Sequence, residues 1–189
     1  MDPTDRYFLE KLAEQRRAKR EELELAAKEE RVRLKLSEAL ATDDEALVQR
    51  VRALGFDGDS ARVFDLLPLI HVAWADGTVQ HAERAQILDI LTLRGIEPED
   101  EAWIFVSALL EQQPSSEYIQ LTLELLRDVL KHSGRNPSSI VEMCANVASA
   151  AGGFLGFGSA VSNEERVAIE AISRALQVDE KKSLQSLLG

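Results

Sequence analysis

"HVAWADGTVQHAERAQI" (His71–Ile87) carries the first decision about the fold. An apolar segment with helical spacing runs into Ala75-Asp76-Gly77. A second amphipathic segment restarts within a few residues, with Glu83 in its first turn. Two helices joined by so short a turn must pack against one another, so the stretch predicts a helical hairpin. Glu83 suits the positive end of the second helix dipole, whereas Asp76 sits at the negative end of the first. That placement needs a reason. Either the aspartate closes the turn with its own side chain, or it helps to hold a cation.

Working outward, the pattern stays helical. Upstream, "TDDEALVQRVRALGF" opens on Thr42 or Asp43 as N-cap and stops at Gly55. "DSARVFDLLPLIHVAWADG" follows, and Pro68 inside it marks either a kink or the true first turn. Downstream, "EPEDEAWIFVSALLEQQ" carries Pro98 near its start. "PSSEYIQLTLELLRDVLKHSG" has Ser115 or Ser116 as cap and Gly134 as stop. "NPSSIVEMCANVASAAGG", "SNEERVAIEAISRAL" and a short "DEKKSLQSLL" complete the series. No stretch alternates with period two. The expectation is an all-α compact bundle of about seven to eight helices, preceded by a long charged N-terminal helix.

That first helix is the proline- and glycine-free stretch 5–37. Its middle is dominated by charge, with Arg20/Glu24 and Glu24/Lys28 one turn apart. Apolar residues gather at its two ends: Tyr7, Phe8, Leu9 and Leu12, then Leu23, Leu25, Val32, Leu34 and Leu36. No heptad runs through the middle. Residues 1–41 carry as many bases as acids, so the whole formal net charge of −11 falls on 42–189. The division expected is a charged helical arm, 1–41, and an all-helical domain, 42–189. The arm is either a solvated helix or a docking surface for another protein.

Composition narrows the function. An acidic domain disfavours nucleic acid as a partner and suits cations or basic partners. A single cysteine, Cys144, allows no internal disulfide and fits a reducing, cytoplasmic setting. The start has no secretion-signal pattern, and no apolar run is long enough to span a bilayer.

The hairpin has an echo. "VQHAERAQILDIL" lies over "SNEERVAIEAI" with a shift of 82, placing Val79 on Val161, Glu83 on Glu165, Arg84 on Arg166 and Ile87 on Ile169. "HVAWADG" lies over "VASAAGG" with a shift of 76. This self-similarity predicts an internal pseudo-twofold duplication. With these residues in place the chain resembles the tellurite-resistance TerB family. The resemblance rests on the helix ending in Ala-Asp-Gly, the valine and glutamate that follow, and "AAGGFLGFGSAVSNEE" in the second half. It implies a compact pseudo-symmetric helical domain over roughly 42–189, an intracellular setting and an acidic metal-binding surface. It also implies a place in stress-response complexes, peripheral membrane ones included, and no established catalysis.

The acids divide between capping and binding. "DGTVQHAE" matches the back half of an EF-hand loop, but the first two ligand positions fall on Val72 and Trp74, which offer no side-chain oxygen. Calcium takes about six to eight oxygens, so Asp76 and Glu83 would need help from Glu164 or Glu165 across the repeat, or from water. The second copy has Gly152 in the place of Asp76. "Ser162-Asn163-Glu164-Glu165" reads equally as a capping box, and Gln80 with Glu83 as a poorer one. The candidate metal set is Asp76, Glu83, Glu164 and Glu165, with a divalent cation, calcium first, as the implied cofactor. "GGFLGFG" lacks the Gly-Lys-Ser/Thr of a phosphate loop and reads as a turn. His71, His81 and His132 share no ligand spacing, and Trp74 and Trp103 read as core anchors. No nucleophile–base–acid set is visible, and no Glu-x-x-His pair supports a carboxylate metal centre. The reading is a non-catalytic binding or scaffold module of the TerB type that responds to divalent cations. The alternative is a protein-interaction domain with no metal site, in which the acids only cap helices.

Overall fold

The computed structural model describes residues 2–152 and 161–178. Within them the chain is helical, with no strand. The expected glycine-rich turn at 153–160 and the short final helix lie outside the described residues. The helices are α1 (Pro3–Leu40), α2 (Glu45–Ala53), α3 (Leu67–Ala73), α4 (His81–Leu93), α5 (Glu101–Glu111), α6 (Ser116–Ser133), α7 (Pro137–Gly152) and α8 (Asn163–Ala175). A 3-10 segment, Ser60–Leu66, leads into α3.

Local chemistry sets most of the boundaries. Asp44, one residue beyond the expected caps, accepts the Leu47 N–H at 3.1 Å and starts α2. Ser115 caps α6 through the Tyr118 N–H, and Gly134 ends that helix with a left-handed backbone at φ 65°. Pro98 lies before α5 rather than within it, and Asp100 is the N-cap. Pro68 occupies the first turn of α3, where its missing N–H costs nothing. Its ring would clash with a carbonyl four residues earlier, so the segment before it cannot continue as regular α-helix. Asp57 holds that 3-10 segment by accepting the Ser60 N–H at 2.8 Å and the Ser60 hydroxyl at 2.7 Å.

Helix α3 is the centre of the molecule. Leu67, Leu69, Ile70, Val72 and Ala73 are all buried. It packs on α7, α6, α8 and α4, and α7 packs in turn on α4 and α8. Helix α5 covers the 3-10 segment, where Phe56 meets Phe64 and Phe105 edge-on, each pair with ring centres 5.0 Å apart. Trp74 and Trp103 are half-buried against this core, and the Trp74 indole donates to the Leu109 carbonyl at 2.9 Å.

Helix α1 behaves as two objects. Residues 6–31 are all exposed. From Val32 onward it joins the core, with Leu36 and Leu40 fully buried against α2 and the 3-10 segment. Packing therefore begins inside the stretch whose balanced charge marks it as an arm.

Candidate functional site

The turn after α3 answers the question raised by Asp76. Helix α3 ends at Ala73, and the chain reverses through Trp74–Thr78, with the Gly77 N–H on the Trp74 carbonyl at 3.0 Å. Gly77 has φ +91°, a conformation open to glycine at little cost. Asp76 is exposed and accepts the Thr78 N–H at 3.0 Å and the Thr78 hydroxyl at 3.3 Å. This is an Asx turn, in which the aspartate replaces a backbone acceptor.

Glu83 follows at the third position of α4. Its carboxylate accepts the Gln80 N–H at 2.8 Å, in capping-box geometry. At α8 the same device is complete: Glu165 accepts the Ser162 N–H, and the Ser162 hydroxyl accepts the Glu165 N–H at 3.1 Å. Both glutamates are buried, Glu83 with 1% and Glu165 with 4% of their surface exposed. Val79 and Val161, just ahead of the two helices, are both half-buried against the core.

The fold then brings the two boxes together. The Glu83 and Glu165 carboxyls become buried electrostatic neighbours, although their helices start far apart in the chain. Burial is the largest influence on Glu83. The Glu165 carboxyl and the Asp76 charge push the same way, the Gln80 N–H opposes them, and Glu83 is raised to about 8. At neutral pH the junction of α4 and α8 thus holds a proton that an exposed glutamate would have released.

Of the four candidate ligands, three share one electrostatic neighbourhood: Asp76, Glu83 and Glu165. Glu164 is exposed on the outside of the first turn of α8. Among the described residues, no group of three or more His, Cys, Asp or Glu side chains is disposed to hold a metal ion. No buried side-chain nitrogen or oxygen lacks a hydrogen-bond partner there.

Two further features were not read from the sequence as a site. The Asp57 side chain raises the pKa of Glu101. Asp57 itself is held low by the N–H and hydroxyl of Ser60 and the N–H of Asp59, against the effect of burial. Only the turn signal in "FDGDS" hints at this pair. His71, half-buried in α3, lines a groove with Trp74, Pro114, Ile119 and Leu123, and burial lowers its pKa. Cys144 is fully buried and its thiol is pushed far up by burial, so it behaves as a small core side chain. No helix among the described residues is long and apolar enough to cross a membrane.

An all-helical domain with a central buried helix, an Asp-Gly turn and acid-capped helices on either side of it defines the class. The family model for the tellurite resistance protein TerB matches residues 66–186, most of the chain, and the protein belongs to that family. No curated protein and no solved structure matches it.

Proposed function

We propose that the chain is a non-catalytic binding module of the TerB type, acting in a cytoplasmic stress-response complex of the tellurite-resistance kind and docking to protein through its N-terminal helix. The observation that carries this reading is the exposure of α1 over residues 6–31, ending in Tyr7, Phe8, Leu9 and Leu12. A charged helix with no tertiary packing is marginal alone in water, and an apolar tip is costly to leave in solvent. The buried, unreactive Cys144 supports a reducing compartment. The test compares tagged full-length chain with a variant lacking residues 1–31, both recovered from the native host. The full chain retains a stoichiometric protein and the truncated one does not; equal recovery overturns the reading.

A second reading has its own support. The buried Glu83 and Glu165 carboxyls beside Asp76 are a place where a divalent cation, calcium first, could take over from the proton on Glu83. Calcium needs more oxygens than these residues offer, so water or movement of the turn would have to complete the shell. Calorimetry and thermal melts with calcium, magnesium, manganese and zinc test it. A cation in hundredfold excess over its dissociation constant adds about 2.7 kcal/mol of stability. Four unmoved melts leave the acids as caps and the protein as an interaction module. The matched capping boxes of α4 and α8 support reading the domain as an internal duplication with its pseudo-axis near the glutamate pair.

A further inference from the structure

The exposed part of α1 is ordered in charge. Arg16, Arg17, Lys19 and Arg20 form a basic block. Directly after it come Glu21, Glu22 and Glu24, then Glu29 and Glu30, with Lys28 as the only base between 21 and 30. Apolar side chains flank the pair of blocks. Phe8 and Leu9 are 65% and 54% exposed at the tip, and Leu34 is 53% exposed at the base, where α1 meets the domain. The ion pairs made within the helix, Arg6–Glu10, Lys19–Glu22 and the two-pronged Arg33–Glu30, are largely solvent-exposed and weak.

This layout is self-complementary in one direction only. Two copies laid parallel would set base on base and acid on acid. Two copies laid antiparallel set the basic block of each against the acidic block of the other, and the apolar tip of each against the apolar base of its partner. We propose that α1 pairs antiparallel with α1 of a second copy of this chain, about a twofold axis between Arg20 and Glu21, so that Arg17 faces Glu24 and Lys19 faces Glu22. The contact is isologous, so it closes at two subunits. It rests on the reading of α1 as the docking element and names the partner.

Sedimentation and spin-label distances test it on the full chain. In low salt the wild type is a dimer, and it dissociates as salt screens the blocks. Changing Arg16, Arg17, Lys19 and Arg20 to Glu gives a monomer. Changing Glu21, Glu22, Glu24, Glu29 and Glu30 to Lys gives another. Mixing the two variants restores a dimer, which shows that both still fold, and unchanged thermal melts of the domain check the same point. Labels on Lys11→Cys lie about 30 Å apart or more across an antiparallel pair and about 10 Å apart across a parallel one; the buried Cys144 stays unlabelled. A wild type that is monomeric at about 100 μM, a dimer that survives deletion of residues 1–31, or a short label distance overturns the proposal. So does a monomer whose arm instead binds vesicles of phosphatidylserine and phosphatidylcholine. A monomer that still retains a different protein through the arm overturns the second copy alone and leaves the docking role intact.

Discussion

Helix α1 and the domain that it enters are both helical for different reasons. The exposed part of α1, residues 6–31, is helix by local propensity and charge pairing, with no side chain in the core. Helix α3 is short, follows a 3-10 segment and holds β-branched Ile70 and Val72, yet it is the most enclosed element. Propensity alone favours the first, and burial holds the second. The lesson is that length and regularity say little about where stability resides.

The sharpest way to break this contrast is to cut α1 at two places. Removing residues 1–31 leaves the cooperative thermal transition of the domain in place. Removing 1–40 takes away Leu36 and Leu40 and abolishes it. If both truncations melt alike, the division of α1 is wrong. Point changes give the same test on a smaller scale. Leu36→Ala costs about 2–5 kcal/mol in chemical denaturation, whereas Leu23→Ala, on the exposed face, stays within about 0.5 kcal/mol in dilute protein.

Within the domain, the α4–α8 junction supplies the next effect. Unfolded Glu83 releases its proton near its ordinary 4.5, whereas folded Glu83 keeps it to about 8. The folded state therefore binds more protons across that window, and stability is highest below it. Melting temperature falls as pH rises from about 5 to about 8 and then levels with respect to this group. Glu83→Gln imitates the protonated form. It flattens that slope and stabilises the protein at pH 8 by about 1–3 kcal/mol. A wild-type melt that rises over this window, with the variant parallel to it, would show that folded Glu83 does not keep its proton.

The smallest effect belongs to Asp76. Asn closes the same turn onto Thr78, so Asp76→Asn moves the cation-free melt by no more than about 0.5 kcal/mol. A loss of 2 kcal/mol or more without added cation would give Asp76 a role that the turn does not explain.

Much of the architecture was legible beforehand because it is local. Ser162 and Glu165 sit three apart as a capping box requires, Gly134 stops α6, and Pro68 could only kink a helix or start one. The TerB resemblance also rests on short contiguous motifs, and the family match bears it out. The candidate acids were legible as residue types, but their roles were not. Glu164 and Glu165 are adjacent and chemically alike, and helical phase alone separates them, turning one outward and the other into the junction.

By itself, then, the sequence determined the helices, most of their caps, the family and the asymmetry of charge between arm and domain. These depend on neighbours within a turn or two, or on simple sums. Only the tertiary structure decided that α1 joins the core at Val32 and that Glu83 is buried beside Glu165, where it holds its proton more tightly than an exposed glutamate. Both follow from contacts between distant segments, and a buried carboxyl's affinity for its proton is set by what is packed against it.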